Sequence, residues 1–275
     1  MTPVDLSGVD AKLGRAKVYA TDLKERVDAR FPLDAYDFTF EFYPKLRKYA
    51  SVVHNLPKID PEWSLIVGEI VFHLRSCLDH LAWQIAIFDE KCPGEHTYFP
   101  IRDTPYNKKG VLKPTQMEPA ITSPVILDAL EALQPYRTVE GAIDLAQGQR
   151  NALRALRVLN NIDKHRLLLV TATVLDVDQM WWGLPENFPS PNVLLNPGVL
   201  ENDKPVAWFD FGPNEPPENF DPHPAVRVSV REKEIAFLTL VSLPEYMLAL
   251  CDFWVDQYVL DWRFRRIFNG EAPLM

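Results

Sequence analysis

The apolar residues of the chain follow two periods, and the changes between them predict the order of its secondary-structure elements. From about residue 8 to residue 30, apolar side chains recur every three or four positions, at Leu13, Ala16, Ala20, Leu23 and Val27. This spacing predicts a helix with a narrow apolar stripe. Residues 36–54 then alternate aromatic and polar side chains, which is typical of half-buried strands, and we expect a β-hairpin there.

A second helix is expected over residues 64–89, and apolar positions cover most of its circumference. Its wide apolar face consists of Ile66, Val67, Ile70, Leu74, Leu78, Leu81, Ile85 and Phe88. The small residues Gly68, Ala82 and Ala86 lie beside that face and allow close approach of another helix. A helix that is apolar on most sides is typical of the centre of a bundle.

Two further helices are expected within residues 124–165. The first is short, begins at the capping residue Ser123 with Pro124 in its first turn, and ends at Gln134-Pro135. The second runs from about residue 140 to residue 163. A last helix, over 242–266, opens with a capping box formed by Ser242 and Glu245.

Strands are expected at residues 167–176, 205–211 and 225–238. Between them, residues 184–224 hold ten of the 24 prolines, so this stretch is interpreted as loop with at most one strand. Because helices and strands occupy separate stretches, the pattern predicts an α+β fold: about four to five helices beside an antiparallel sheet. The strands are interleaved with the helices and no linker separates two halves, which favours one domain over 1–275.

Composition narrows the class of protein. The chain is 47% hydrophobic and 24% charged, as soluble globular proteins are, and no run of about 18 apolar residues predicts a membrane span. The N-terminus lacks the basic start and apolar run of a secretory signal. The cysteines, Cys77, Cys92 and Cys251, are odd in number and far apart, which favours the reducing cytoplasm. A net charge of −9 argues against broad nucleic-acid binding and leaves room only for a local basic groove.

Two short segments place charge and imidazole where an apolar core is expected. One is 75–80 in the second helix, and the other is 160–166 at the end of the fourth. Because an isolated buried charge costs several kcal/mol, we expect the two segments to face each other. Arg75 and Asp79 lie about 40° apart on the helical wheel and can pair, whereas His80 lies about 140° from Arg75.

On the fourth helix, Asn160 and Asp163 share the buried side. Asp163 is therefore a predicted acceptor for Arg75 or His80, and the predicted structural polar cluster consists of Arg75, Asp79, Asn160 and Asp163. The opposite side carries Arg150, Arg154, Arg157 and Lys164, which form either a solvated face or a phosphate-binding edge. His165 lies at the helix end, where a cation complements the helix dipole.

The segment from Gly68 to Ala82, which includes LRSCLDHLA, resembles the central helix of a widespread group of uncharacterised bacterial proteins. In that group an HNLRSALDHLA helix is followed by FPI, LQPY and NxDKHR segments. This chain has Phe99-Pro100-Ile101, Leu133-Gln134-Pro135-Tyr136 and Asn161-Ile162-Asp163-Lys164-His165-Arg166 in the same order. The resemblance covers about residues 60–170 and departs at Phe72-His73, where the group tends to show His-Asn.

Arg75 and His80 also form an R-x4-H motif on a helix, which is similar to the HEPN superfamily. The R-x4-6-H motif of that superfamily serves metal-independent RNA cleavage, usually in dimers. The resemblance implies that His80 acts on the ribose 2′-hydroxyl or the leaving group and that Arg75 stabilises phosphate charge, with His165 close by. RNA or a nucleotide is then the expected partner.

Two other functions are open at this stage. In the first, the polar cluster is architectural and the chain is a non-catalytic interaction or accessory protein. In the second, His54, His80 and His165 converge on a metal as in DinB-like bundles, but no H-x-x-x-H, H-E-x-x-H or E-x-x-H spacing supports this, so no metal is expected. No nucleophile elbow, phosphate loop or dinucleotide motif is present, so no cofactor is expected. The aromatic C-terminal helix is interpreted as core or as the surface of a homodimer.

Overall fold

The computed structural model describes residues 3–32, 35–106, 109–110, 117–137, 145–174, 188–196, 199–220, 222 and 226–274. Its first four helices are α1 Ser7–Arg30, α2 Glu62–Phe88, α3 Pro124–Ala132 and α4 Leu145–Asp163. A 3-10 turn, Pro135–Arg137, follows α3. Near the C-terminus, α5 Leu243–Ala249 continues as the π-helical segment Leu250–Arg265 and ends in the short α6 Arg266–Phe268.

The strands are β1 Asp37–Tyr43, β2 Lys48–His54, β3 Val170–Val174, β4 Asn192–Leu195, β5 Lys204–Asp210 and β6 Val226–Val230. Four of them form an antiparallel sheet in the order β1-β2-β5-β4, and β3 pairs with β6 in a separate two-stranded sheet. Helices and antiparallel sheets occupy separate stretches of the chain, which confirms the predicted α+β class.

The secondary structure differs from the sequence predictions at three places. The strand expected over 225–238 ends at Val230, and Lys233–Leu240 is a 3-10 segment with a kink at Ile235. Strand β4 lies in the stretch interpreted as loop. The Ser123 hydroxyl makes no capping hydrogen bond to α3. The predicted helix start at 140–144 and the strand residues 175–176 lie outside the described residues.

The chain divides into two compact units. Unit 1 comprises Met1–Asp22, Leu65–Leu168 and Met247–Met275, and unit 2 comprises Leu23–Ser64 and Leu169–Tyr246. Each unit takes residues from separate parts of the sequence. The expectation of one domain over 1–275 stays a prediction.

In unit 1, α2 buries the wide face that its sequence predicts. The side chains of Val67, Ile70, Leu74, Leu78, Leu81 and Ile85 are fully buried. The α1 stripe, represented here by Leu13, Ala16 and Ala20, is buried as well. No helix in the described part of the chain is both long and apolar enough to cross a lipid bilayer.

Unit 2 has an aromatic core on one face of the four-stranded sheet. Phe209 is fully buried, and its ring and that of Phe211 meet Phe220 edge-on at 5.5 and 5.2 Å between centroids. Phe40 from β1 lies 5.1 Å from Phe220 in the same orientation. Such edge-to-face pairs add to the free energy gained by burying the rings, and they order this core.

A charge network joins α1 to the C-terminal helix within unit 1. Lys17 Nζ lies 2.8 Å from Asp252 Oδ1 and 2.7 Å from Asp256 Oδ2, and Arg265 donates to Asp256 at 3.0 Å. Arg265 also pairs with Asp10 and Asp261. Because these groups are partly exposed, each pair contributes at most about 1 kcal/mol, and the network mainly sets which helix faces meet.

Candidate functional site

Arg75 and Asp79 form the i,i+4 ion pair that their spacing predicts. Arg75 Nε donates to Asp79 Oδ2 at 3.2 Å, and Arg75 Nη2 donates to Asp79 Oδ1 at 2.8 Å. The arginine side chain is 17% exposed and the aspartate side chain 35%. This two-point geometry fixes both side chains along one side of α2.

The same pair holds the backbone of Phe99. Arg75 Nη2 donates to the Phe99 carbonyl at 2.8 Å, and the Phe99 amide donates to Asp79 Oδ1 at 2.9 Å. The Phe99 ring is fully buried and lies edge-on to Phe264. We call Arg75, Asp79 and the Phe99 backbone the Phe99 clamp.

Gln134, which follows α3, holds the next residues of that segment. Its fully buried side chain donates from Nε2 to the Pro100 carbonyl at 3.1 Å and to the Leu130 carbonyl at 2.8 Å. Its Oε1 accepts from the Arg102 amide at 3.0 Å. The LRSCLDHLA, FPI and LQPY segments of the sequence therefore meet through side chains that bind backbone groups.

A third backbone anchor lies at the end of α2. The Asp89 carboxylate accepts from the Thr122 amide at 2.6 Å and from the Ser123 amide at 2.9 Å. This contact explains why the Ser123 hydroxyl is not the cap of α3: a carboxylate of another helix orders the backbone there.

Asp163 lies against α2, but at Gly68 instead of Arg75. A Cβ atom placed on Gly68 would lie 2.3 Å from Asp163 Oδ1, so the two helices touch there because glycine has no side chain. Gly68 precedes Arg75 by about 10 Å along the helix axis and His80 by about 18 Å. The expected Asp163 contact with Arg75 or His80 is therefore wrong, because Arg75 takes its acceptors from its own helix and from Phe99.

Burial sets the chemistry of Asp163. It raises the pKa of this carboxyl, and the negative charge of Glu69 raises it further. Within the described residues no hydrogen bond or ion pair to the Asp163 side chain is found. Asn160 on the same side of α4 is buried, as predicted from the helical wheel.

The three predicted catalytic residues do not form one site. His80 is exposed, and its Nδ1 lies 2.6 Å from where a Cβ on Gly8 would be, so it contacts the start of α1. His165 is exposed just beyond α4, which meets α2 at Gly68. Arg75 is held in the Phe99 clamp. Neither histidine contacts Arg75 in the part of the chain that the structure describes.

The metal hypothesis receives no support from the described residues, among which no group of three histidine, cysteine, aspartate or glutamate side chains could hold an ion. Both ring nitrogens of His54 already have partners. Nδ1 lies 2.7 Å from Asp203 Oδ1, and Nε2 lies 2.8 Å from Thr39 Oγ1. His54 thus links strand β2 to β1 and to the turn before β5.

The predicted phosphate-binding residues share no common geometry. Arg157 forms an ion pair with Asp103, whereas Arg154 and Lys164 are exposed. The Arg150 side chain lies outside the described residues. The exposure of Arg154 and Lys164 is what the solvated-face alternative predicts for those two positions.

His73 is a titratable residue to which the sequence assigned no firm role. Its Nδ1 is buried and has no hydrogen-bond partner among the described residues. The ring stacks on Tyr19, at 5.8 Å and 17° between ring planes, and Nε2 lies 3.7 Å from Glu69. Burial lowers the pKa of His73, the positive charge of Lys12 lowers it further, and Glu69 opposes this shift. The i,i+4 spacing of Glu69 and His73 is the one feature of the sequence that points to the contact between them.

The buried thiols are not candidates for a nucleophile. Burial raises the pKa of Cys77 to about 12 and that of Cys251 to about 12, with nearby carboxylates adding to the shift. At neutral pH both sulfurs are protonated, and a thiol is a far weaker nucleophile than a thiolate.

Comparison of the chain with protein-family models, with curated proteins and with solved structures finds no match. The resemblances to the bacterial group and to the HEPN superfamily therefore stay interpretations of the sequence. What the site can do is argued from its contacts alone.

Loss of either clamp side chain is expected to destabilise the protein strongly. Arg75→Ala removes the donor to the Phe99 carbonyl and one of the two donors to Asp79. Asp79→Ala removes the acceptor of the Phe99 amide and one of the two acceptors of Arg75. We expect a loss of about 2–4 kcal/mol in the free energy of unfolding for each. Denaturant titration measures this loss. Arg154→Ala, an exposed arginine of α4, is the control and should stay within about 0.5 kcal/mol of wild type.

Because of the contact between Gly68 and Asp163, Gly68→Ala should change the stability in opposite directions with and without the Asp163 carboxylate. Gly68→Ala should destabilise by about 1 kcal/mol or more, because its methyl group displaces the Asp163 carboxylate. Gly14→Ala in α1, where nothing lies within 4 Å, should stabilise by about 0.5–1 kcal/mol through helix propensity. In an Asp163→Ala background Gly68→Ala should also stabilise. Equal effects in both backgrounds, measured by denaturant titration, would contradict this contact.

His73 should make the protein less stable in acid. Its pKa lies below the usual 6.5 in the folded protein, so the unfolded chain binds the proton first as pH falls. The free energy of unfolding should therefore decline as pH drops from above 6.5 through the lowered folded pKa. His73→Phe, which keeps the ring stack on Tyr19, should flatten the decline in denaturant titrations at a series of pH values. An unchanged slope would show that other groups cause it.

Proposed function

We propose that the protein is a non-catalytic interaction or accessory protein in which the Arg75–Asp79 pair is architectural. One observation carries this proposal: the Arg75 guanidinium is bound to Asp79 and to the Phe99 carbonyl. A guanidinium whose donors hold a carboxylate and a backbone carbonyl stabilises the fold. It is poorly placed to neutralise charge that develops on a substrate.

Phosphodiester cleavage of the kind that the HEPN resemblance implies requires an imidazole and a cation at one phosphate. Arg75 and His80 project about 140° apart from α2, and His80 is exposed while Arg75 lies under the Phe99 segment. His165, just beyond α4, does not bridge this separation. These contacts favour architecture over catalysis at the motif.

A second candidate function is binding of single-stranded RNA or a nucleotide. Phe72 is 51% exposed with Lys12 Nζ 5.5 Å from its ring centroid, and the Arg15 guanidinium lies 4.8 Å from the Tyr19 centroid. Exposed aromatic rings beside cations are suited to stacking bases and contacting phosphates. The net charge of −9 disfavours this function, so it ranks below the first. A cytoplasmic location, which the cysteine pattern predicts, belongs to both proposals.

A nuclease assay distinguishes the two classes of function. Purified protein in a metal chelator should leave a labelled single-stranded RNA intact, and His80→Ala should behave in the same way. Because Arg75 is committed to the fold, Arg75→Lys should change stability without changing the RNA. Metal-independent cleavage that His80→Ala abolishes, with the fold retained, would refute the non-catalytic proposal. Binding without cleavage, lost in Phe72→Ala, would favour the second candidate.

A further inference from the structure

One side of α2 carries apolar side chains that are exposed in the structure. Its exposed apolar side chains are Leu65, Phe72 and Trp83, which are 54%, 51% and 43% exposed, and the half-buried Ser76 lies between the last two. On the helical wheel these four positions fall within an arc of about 40°. We call them the α2 strip. It is about 27 Å long, and both of its margins are packed: Gly8 lies against His80 and Asp163 against Gly68.

The α2 strip matches itself in reverse. Leu65 and Trp83 are equally far in sequence from Leu74, and Phe72 and Ser76 are too. Consider a two-fold axis that runs between two copies of α2, perpendicular to both helices, at the level of Leu74. This axis would place Leu65 on Trp83 of the second copy. The same axis would place the large Phe72 ring on the small Ser76. Residue i then contacts residue j while j contacts i, which is the requirement for a symmetric dimer interface.

Two polar side chains beside the α2 strip repeat this symmetry. Glu69 and His80 are both exposed and lie about 20° apart on the helical wheel, on the side of the strip next to α1. They are also placed about equally on either side of the same level. Under the same two-fold axis Glu69 meets His80 of the second copy, and this occurs twice. Among the residues that the structure describes, Glu69 lies 3.7 Å from His73 and close enough to Asp163 to raise the pKa of that carboxyl.

We propose that the α2 strip binds the α2 strip of a second copy of this chain, antiparallel, in a symmetric dimer. This deepens the proposed function, since it names the partner of an interaction protein. A partner of different sequence would not require the strip to be complementary to itself both in side-chain size and in charge. Trp83 and Phe72 supply the aromatic anchors that usually dominate the energy of protein interfaces.

Sedimentation velocity of the full chain over a concentration series tests the pairing. Wild type should show a reversible monomer–dimer equilibrium. Phe72→Glu should raise the dimer dissociation constant by more than about tenfold, because it charges a central anchor. Ser76→Trp should do the same, because it fills the space that receives Phe72. Val125→Glu, which charges an exposed apolar residue of α3 in the same unit, is the control and should leave the dimer unchanged.

A charge exchange tests the orientation. Glu69→Lys alone should weaken the dimer, because it removes the hydrogen-bond acceptor that faces His80 of the second copy. His80→Glu alone should weaken it too, because two carboxylates then face each other. The double variant with both substitutions should restore the dimer, because a lysine then faces a glutamate in the antiparallel arrangement. Circular dichroism of each variant confirms that the fold is retained.

The outcomes separate this inference from the proposed function. A wild-type monomer at every concentration would overturn the pairing, and so would a dimer that Phe72→Glu leaves intact or a double variant that is not restored. A monomer whose Phe72→Glu variant loses a bound RNA or another protein would also overturn it, because the strip then has a different occupant. None of these results makes the protein a nuclease. Conversely, RNA cleavage by the dimer would refute the non-catalytic proposal and leave the pairing in place.

Discussion

The Phe99 clamp is the interaction on which the helical unit depends. The segment from Phe99 to Arg102 is neither helix nor strand, so its backbone amides and carbonyls need partners from elsewhere. Asp79 and Arg75 bind both polar groups of Phe99, and Gln134 binds the Pro100 carbonyl and the Arg102 amide. Without these side chains, the buried backbone groups would lose their hydrogen bonds at a cost of about 1–3 kcal/mol each.

This use of charge supports the proposal that a motif resembling a catalytic one is architectural here. The energy of a half-buried arginine is lowest when its donors are all directed at fixed acceptors, and the Phe99 clamp supplies a carboxylate and a carbonyl. To serve a substrate, Nε and Nη2 of this guanidinium would have to break those contacts. His80, five positions later on the helix, shares none of them and lies on the exposed side. Sequence spacing alone does not distinguish a catalytic pair from two residues with separate tasks.

Periodicity predicted most helices and strands because it reports which side of an element is buried. It identified α2 as central and placed Asn160 on the inner side of α4, both of which the burial of these residues matches. It missed β4, since Asn192–Leu195 is only four residues long and lies among prolines, where the alternation is too brief to stand out. It extended the last strand past Val230. The apolar residues that follow belong to a 3-10 segment, and over so short a run its three-residue period is hard to distinguish from the alternation of a strand.

The predicted contact of Asp163 with Arg75 or His80 was wrong for a related reason. A helical wheel gives the direction of a side chain around its own axis, but it does not give the level at which two helices cross. That level is set here by Gly68, whose missing side chain admits the Asp163 carboxylate. The true acceptor of Arg75, a backbone carbonyl in an irregular segment, leaves no residue-type signal in the sequence. Of the Phe99 clamp, only the pairing of Arg75 with Asp79 could be predicted from the sequence.

Asp79 on α2 and Asp163, which packs against α2, differ in how well their negative charge is stabilised. This difference bears on which part of α2 could bind a partner. Asp79 accepts from a guanidinium and a backbone amide, so its charge is satisfied. Asp163 is half-buried, and both burial and the nearby Glu69 disfavour its charge. A cation that reached Glu69 from outside the chain would relieve that repulsion. Titratable groups with perturbed pKa values cluster at functional sites. Asp163 and Glu69 lie beside the exposed apolar side chains of α2. This placement supports the proposal that a partner binds the exposed side of α2 and not the Phe99 clamp.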